Sequence, residues 1–285
     1  MKKIYDDYNY ENIFTKKIDQ TREDKIEDLR ESKKHRYAYM KKTIISGSVV
    51  ESEIYPIWKC RNDLPRISMG ESSEAQKKLN DKNAKKKIVR LINTNFKEDD
   101  LMITLTYKDH YLPSESEAKR DMQNYIRRLK RFRKKEGLED LKYLYVIEYE
   151  NDPKRSKKIR IHHHIIINNM DRDIAEGLWK KGRTDSMKLQ PDDFGLTGIA
   201  KYISKGLICG RRWGYSKNLK KPIVRVDRTS LTKRKVERLA LRPEQFKEFF
   251  ENEYRKQGYE YKDCETLYSD ISVGFYLYAR MKKKE

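Results

Sequence analysis

The chain has 285 residues, of which 39% are charged and 36% hydrophobic, and it contains 20 tyrosines, 8 phenylalanines and 3 tryptophans. This length and aromatic content are enough for a packed core and argue against a largely disordered chain. The formal net charge of +21 makes nucleic acid the expected partner, and the lack of an apolar helix with a basic face argues against binding to anionic lipid.

Cysteine usage and the N-terminus bear on the compartment. Cys60, Cys209 and Cys264 are widely spaced and form no Cys-x-x-Cys pair, which argues against a disulfide framework and a cysteine zinc site. Charged residues rather than an apolar leader follow Met1, and no run approaches the ~20 apolar residues that span a bilayer. We expect a cytoplasmic protein that makes no membrane contacts.

The N-terminal part has the weakest pattern. Residues 1–42 are dense in Lys, Asp, Glu and Tyr with little helical periodicity, which predicts a mobile or loosely helical arm. The β-prone residues between Ile44 and Ile67 predict a short hairpin or extended segment. Residues 1–70 are therefore expected to form a basic, partly flexible extension.

The middle of the chain is more regular. Ser72 to about Ile92 predicts a helix, and Leu101–Tyr107 predicts a strand. Lys119–Lys135 predicts an amphipathic helix whose second face is nearly all Arg and Lys. Strands are predicted at Leu144–Tyr149 and Arg160–Asn168, and the charged turn between them favours an antiparallel hairpin.

The second half of the chain continues with helices and strands. Helices are predicted at Ile174–Lys180, Thr197–Leu207 and Pro243–Gln257, and strands at Ile223–Val226 and Val273–Arg280. This order predicts an α+β fold, an antiparallel sheet with helices on one face. The sequence has no Gly-x-x-x-x-Gly-Lys-Ser/Thr loop, so no nucleotide-driven motor is expected.

Three of the five histidines are consecutive, at positions 162–164. On a strand His162 and His164 share one face, while His163 points to the other, so two imidazoles can hold one metal. Glu148, on the preceding strand, is the expected third ligand, and this donor set suits Mn²⁺ or Mg²⁺. The alternative is that the histidines are exposed polar positions and Glu148 a surface charge.

A second candidate group is Tyr202 with Lys205, three residues apart and hence on one face of the predicted helix. An ordinary phenol has a pKa near ~10, so it attacks a phosphate only with help from a metal and a nearby cation. Attack on DNA would give a 5′-phosphotyrosine and a free 3′-hydroxyl. The alternative is a tyrosine that packs against the sheet beside a solvated lysine.

Together, three segments resemble the motifs of the HUH endonuclease class: Ile103–Tyr107, His162–His164 and Tyr202–Lys205. In that class the first motif is a structural strand, the second has two metal-binding histidines around a bulky residue, and the third carries the nucleophile. Here His163 replaces the usual aliphatic or aromatic residue. From about Ser72 onward the chain further resembles single-tyrosine rolling-circle replication initiators of plasmids, filamentous phages and mobile elements of low-GC Gram-positive bacteria.

The resemblance implies a ferredoxin- or RRM-like fold in which residues 71–226 form the catalytic domain around an antiparallel sheet of about five strands. Residues 227–285 would add a C-terminal helix and an aromatic strand that pack on this domain, at the other end of the chain from the extension 1–70. The resemblance also implies metal-dependent nicking and joining of single-stranded or hairpin origin DNA. A host helicase and polymerase are expected to complete replication.

Recognition of DNA is expected from basic and aromatic side chains, because single-strand binding combines charge with stacking surface. The candidates lie on the helix Lys119–Lys135 and after the tyrosine motif. They are Arg127, Arg128, Arg131, Lys134, Arg211, Arg212, Trp213 and Tyr215. The alternative for each is ordinary surface charge or a packed ring.

Rival functions remain open at this point. A conjugative relaxase or a small transposase would share the nicking chemistry. A non-catalytic nucleic-acid-binding protein on a ferredoxin-like sheet would use the same basic surface while the histidines pack. A zinc hydrolase is disfavoured, because no His-Glu-x-x-His sequence occurs.

Overall fold

The computed structural model describes residues 16–17, 37–58, 73–150, 159–205, 212–228, 230–269 and 274–284. The chain divides into two compact units. The central unit is Ser73–Lys221, and the terminal unit combines Met1–Ser72 with Pro222–Glu285. None of the helices in the described ranges is long and apolar enough to cross a membrane.

Helices and strands follow one another along both units. In the first half of the chain they are β1 (Lys16–Lys17), β2 (Tyr37–Ser46), β3 (Val49–Trp58), α1 (Ser73–Asn95), β4 (Leu101–Leu105), α2 (Glu115–Lys135) and β5 (Tyr143–Glu150). In the second half they are β6 (Ile159–Ile167), α3 (Arg172–Gly177), β7 (Thr184–Lys188), α4 (Thr197–Ile203), β8 (Trp213–Tyr215), β9 (Ile223–Asp227), α5 (Lys233–Leu241), α6 (Pro243–Arg255), β10 (Tyr259–Ser269) and β11 (Gly274–Lys283).

The central unit is built on a five-stranded sheet with the order β7-β4-β6-β5-β8, and each neighbouring pair is antiparallel. β6 lies in the middle, between β4 and β5. The predicted antiparallel pairing of the strands now labelled β5 and β6 is confirmed. The α+β class with a central antiparallel sheet is likewise confirmed.

Apolar side chains leave both faces of this sheet. Along β4, Leu101 and Ile103 pack with α2, whereas Met102 packs with α1 and α4. All three side chains are buried, the pattern of a strand covered on two sides. The helices therefore lie on both faces of the sheet rather than on the one face that the sequence predicted.

Helix α2 begins earlier than predicted because of a capping box. Ser114 accepts a hydrogen bond from the backbone N–H of Glu117 at 3.3 Å, and its own N–H donates to the Glu117 carboxylate at 2.8 Å. These two bonds satisfy donors that a helix start leaves unpaired. The buried side of the helix carries Met122, Tyr125 and Leu129, as its periodicity predicted.

Two edge strands of the central sheet were missed by the sequence analysis. β7 falls in a segment predicted as a loop, and β8 in a segment predicted only to contact DNA. Their sequences, Thr-Asp-Ser-Met-Lys and Trp-Gly-Tyr, are short and lack the alternation that marks a strand. They are strands because β4 and β5 offer them backbone partners.

The terminal unit is built on a second antiparallel sheet, with the order β1-β10-β11-β3-β2-β9. Helices α5 and α6 pack against it through Val236, Leu239, Phe246 and Phe250. The strand β10, which has few β-branched residues, and the helix α5 were missed by the sequence analysis.

This second sheet corrects the picture of two separate extensions, residues 1–70 and 227–285. β3 pairs with β11, with Ile54 opposite Leu277, so the described residues near both ends of the chain share one sheet. Pairing between strands so far apart in sequence depends on tertiary contacts that local patterns do not encode. The part of the predicted extension outside residues 16–17 and 37–58 lies outside the described residues.

Gly182 sets the approach between β4 and the segment that leads into β7. A Cβ atom at this position would lie 2.2 Å from the carbonyl oxygen of Thr106 and 2.7 Å from the Cα of Tyr107. These are backbone atoms, so relief requires the strands to separate. We expect Gly182→Ala to destabilise the central unit by roughly 1–3 kcal/mol, the cost typical of overpacking, in urea denaturation followed by circular dichroism.

Gly177→Ala is the matched control for this substitution. Gly177 ends α3, and nothing lies within 4 Å of a Cβ built there. The same change in chemistry should leave the unfolding midpoint unchanged or slightly raised, since alanine favours helix over glycine. Equal midpoints for the two variants would show that the close approach at Gly182 is not a constraint.

Candidate active site

The three residues grouped by the sequence analysis lie together on one face of the central sheet. Glu148 on β5 is the register partner of His162 on β6. The Glu148 Oε2 atom lies 3.4 Å from Nε2 of His162 and 3.3 Å from Nε2 of His164. The two imidazole rings are 4.9 Å apart and almost perpendicular. One ligand atom from each residue therefore faces a common point.

The second nitrogen of each ring is held by the protein. His162 donates its Nδ1–H to the carbonyl oxygen of Arg160 at 2.9 Å. Nδ1 of His164 hydrogen-bonds with the hydroxyl of Thr104 on β4 at 3.1 Å. Such partners fix the orientation of a ligating imidazole and leave Nε2 for the ion. The sequence analysis missed Thr104, which strand alternation with Met102 on β4 could have placed on this face.

The electrostatics of this cluster favour a cation. Hydrogen bonds from His162 and His164 lower the pKa of the Glu148 carboxyl to about 2, so it is an anion at neutral pH. Burial opposes a charge on His162, but hydrogen bonds with Glu148 and the Arg160 carbonyl outweigh it and raise its pKa. Two imidazole nitrogens and a carboxylate oxygen within 4.8 Å of one another fit a divalent metal ion.

Tyr202 stands beside this cluster on α4. Its side chain is 60% exposed, while Ala200 and Ile203 of the same helix are buried in the core. The Tyr202 ring centroid lies 5.5 Å from that of His164, with the planes at 64°. The ring is not packed into the core, as the alternative interpretation required. The phenol is therefore accessible and adjacent to a metal-ligand candidate.

The position of α4 depends on a buried amide from α1. A helix of 7 residues is too short to be stable alone, and the helix has no side-chain cap of its own. Instead, the backbone N–H of Leu196 donates to Oδ1 of Asn93 at 2.8 Å. The Asn93 Nδ2 donates in turn to the hydroxyl of Thr197 at 3.1 Å. Asn93 thus fixes the start of the helix that carries Tyr202.

Lys205 lies just beyond α4. The helix ends at Ile203, where the hydroxyl of Ser204 donates to the carbonyl of Ala200 at 2.7 Å. Lys205 is exposed in the following turn, and its backbone N–H donates to the carbonyl of Tyr202 at 3.2 Å. The predicted continuation of the helix through Lys205 is therefore wrong. The remaining part of that prediction, residues 206–207, lies outside the described residues.

His163 points to the opposite face, as predicted, and is fully buried. Its Nε2 hydrogen-bonds with the hydroxyl of Tyr107 at 2.9 Å, and its ring lies 5.5 Å from the ring of Trp179. Within the described residues its Nδ1 has no partner. Burial, with the charges of its two neighbours, lowers the pKa of His163 to about 3, so this imidazole is neutral. It acts as a core residue with one polar contact.

The DNA-binding candidates on α2 divide into two kinds. Arg127, Arg131 and Lys134 are exposed. Arg128 instead donates from Nε to the carbonyl of Leu178 at 2.7 Å and from its terminal nitrogen to that of Trp179 at 3.2 Å. Its guanidinium is committed to the carbonyl end of α3. A role for the three exposed side chains in DNA binding stays a prediction.

The candidates around β8 form a partly buried aromatic surface. The rings of Trp213 and Tyr215 stack at 5.5 Å, and the Lys87 ammonium lies 5.1 Å from the Tyr215 centroid. Arg212 stacks on Tyr149 at 3.7 Å. Arg211 lies outside the described residues. Charge and flat rings meet at this edge, and their contact with DNA stays a prediction.

Metal binding can be measured without any nucleic acid. We expect isothermal titration of the protein with Mn²⁺ to show one site, and Glu148→Gln and His164→Ala to weaken it at least roughly tenfold by removing a donor. His110→Ala, which removes an exposed imidazole outside the cluster, is the matched control and should bind normally. Unchanged affinity in Glu148→Gln would contradict the assignment of this carboxylate.

The Tyr107 hydroxyl can be tested through stability. Tyr107→Phe leaves both ring nitrogens of the buried His163 without a partner, which costs roughly 1–3 kcal/mol. Tyr111→Phe is the control, because this ring packs 5.7 Å from that of Tyr107 but is only half-buried. Urea denaturation should show a lower midpoint for the first variant alone. Equal midpoints would mean that the hydrogen bond to His163 contributes nothing.

Comparison with known proteins locates a similarity in this part of the chain. Residues 100–207 match the model of a family described as replication-associated protein ORF2. No curated protein and no solved structure matches the chain. The matched segment includes Glu148, His162, His164 and Tyr202, all the residues of the cluster described above. The similarity supports a replication initiator.

Proposed function

We propose that this protein nicks single-stranded origin DNA through Tyr202 and so starts rolling-circle replication. The observation that carries the proposal is an exposed phenol against His164 of a cluster with two histidines and one carboxylate. The similarity to replication-associated proteins supplies the biological context. The structure class that fits this arrangement is the HUH endonuclease with a single tyrosine.

The reaction is an exchange of one phosphate ester for another. The Tyr202 oxygen bonds to phosphorus, the bond from phosphorus to the 3′-oxygen breaks, and its electron pair leaves with that oxygen. The phenolic proton passes to solvent, and the departing 3′-oxygen takes one up. No oxidant or energy source is consumed, so the 5′-phosphotyrosine can later be attacked by a 3′-hydroxyl and the strand rejoined.

Divalent Mn²⁺ or Mg²⁺, when bound, would polarise the phosphate and stabilise the charge that develops on it. Glu148, His162 and His164 would hold the ion, and Thr104 and the Arg160 carbonyl orient the imidazoles. Tyr202 supplies the nucleophile from a helix end fixed by Asn93. Lys205, exposed next to Tyr202, supplies positive charge that favours the phenolate.

Replication beyond the nick requires other proteins. The free 3′-hydroxyl is a primer for a polymerase, and the sequence contains no phosphate-binding loop of the kind that drives helicases. We expect host helicase and host polymerase to supply unwinding and synthesis. The net charge of +21 and the exposed arginines of α2 favour tight, salt-dependent contact with the DNA strand.

The covalent product provides the direct test. Protein, Mn²⁺ and single-stranded oligonucleotides that tile the gene's own locus are mixed, and a denaturing gel is examined for a protein–DNA band. We expect the band with wild type and its loss in Tyr202→Phe, because no other group replaces the nucleophile. His164→Ala should lower its rate at least roughly a hundredfold, the scale of losing one catalytic element.

Tyr259→Phe, which removes a hydroxyl from the terminal unit, is the matched control and should form the band at the wild-type rate. Binding of all variants to the same oligonucleotide is measured by fluorescence anisotropy. Tight binding by wild type with no band for any tile would contradict the nicking proposal and favour a protein that binds nucleic acid without catalysis. A band that persists in Tyr202→Phe would move the nucleophile elsewhere.

A further inference from the structure

An open groove of about 850 Å³ adjoins the cluster at His162. One wall is the segment 106–110, which follows β4. The other walls are residues 160–162 at the start of β6 and residues 182–183 before β7. The groove thus begins at a candidate metal ligand and leads away from it past the ends of three strands.

The groove is rich in positive charge. Lys108, His110, Arg160 and Arg183 are exposed along it, with Asp109 as the one carboxylate of its lining. Arg160 donates to Asp109 at 2.7 Å. The pKa of Asp109 is lowered first by this hydrogen bond and further by the charges of Arg183 and His110, so the cationic groups converge. A chain of phosphates is the ligand that such a lining attracts.

The walls are held by backbone contacts rather than by the charged side chains. The backbone N–H of Thr106 donates to the carbonyl of Arg183 at 2.9 Å, and its hydroxyl donates to the same oxygen at 3.0 Å. The backbone N–H of Lys108 donates to the carbonyl of Lys181 at 3.2 Å. The Arg183 side chain can therefore be changed without loss of these bonds, and the groove is formed before any ligand arrives.

The position of Tyr202 gives the groove a direction. Arg160, His162 and His164 alternate along one face of β6, roughly 6.6 Å apart. Tyr202 contacts His164, whereas the groove opens at His162 and Arg160. In phosphoryl transfer the attacking and leaving oxygens lie roughly in line on opposite sides of phosphorus. With attack from the His164 end, the departing 3′-oxygen points toward the groove.

We propose that this groove binds the DNA segment on the 5′ side of the nick, whose end becomes the 3′-hydroxyl, with Arg183 and Arg160 on its phosphates. The direction rests on the proposed function. After cleavage this segment has no covalent link to the protein, and the groove holds it beside the 5′-phosphotyrosine. The free 3′-hydroxyl is thus kept in place for rejoining or for extension by a polymerase.

Binding to the groove is tested without chemistry. Anisotropy of a fluorescent oligothymidylate of about 12 nucleotides is measured with EDTA present for wild type, Arg183→Ala and Arg183→Gln. We expect both variants to bind roughly fivefold more weakly and to show a shallower dependence on salt, because a phosphate contact is lost. Arg255→Ala, an exposed arginine of α6, is the charge-matched control and should bind like wild type. Wild-type affinity in both Arg183 variants would overturn the proposal.

The direction is tested on an oligonucleotide that wild type nicks. Substrates are shortened close to the nick on its 5′ side or on its 3′ side, and single-turnover rates and release of the 3′-hydroxyl product are measured. Arg183→Ala should slow nicking and speed product release on the full substrate and on the one shortened on the 3′ side. It should add no further defect when the 5′ side is shortened. The reverse pattern would overturn the assigned direction.

The two proposals fail in different ways. If no oligonucleotide is nicked by wild type, the nicking proposal fails, while weaker binding in Arg183→Ala still supports a nucleic-acid groove. If nicking occurs but neither the affinity nor the substrate-length pattern depends on Arg183, the groove proposal fails and the nicking proposal stands. Circular dichroism of each variant confirms that the fold is retained.

Discussion

The register of β6 between β4 and β5 is the constraint on which the candidate site depends. It places His162 opposite Glu148 and His164 opposite Thr104, so that ligands and their orienting partner come from three adjacent strands. A slip by one residue would turn His163 to this face and bury the other two imidazoles. The geometry of the cluster is thus a property of the whole sheet and not of the histidine run alone.

Packing on the opposite face explains why this register is secure. Ile165 and Ile167 are fully buried in the core formed with α2, and His163 lies in the same row with its hydrogen bond to Tyr107. Moving these side chains to the cluster face would expose apolar surface and leave a buried polar atom unpaired. The apolar face stabilises the sheet, and the polar face consequently tolerates two imidazoles and a carboxylate placed for binding.

Much of the central unit could be predicted from the sequence because its signals are local. Alternation along β6 is enough to place His162 and His164 together, and periodicity gives the buried side of α2. The edge strands β7 and β8 could not be predicted, since they owe their extended form to partners and not to composition. The sheet of the terminal unit was missed for the same reason, and the end of α4 depends on the local bond from Ser204.

The same division between rigid support and exposed chemistry recurs at Tyr202. Ala200 and Ile203 are buried, and Asn93 satisfies the start of the helix, so little freedom remains for the backbone that carries the phenol. The ring itself is left largely in solvent, where a flexible DNA strand can reach it. A nucleophile held near its target in this way lowers the entropic cost of attack, which is the main help a protein can give when the bonds made and broken are alike. The groove that opens at His162 extends the argument to the strand that leaves, because it too is shaped by backbone hydrogen bonds while its charged side chains stay exposed.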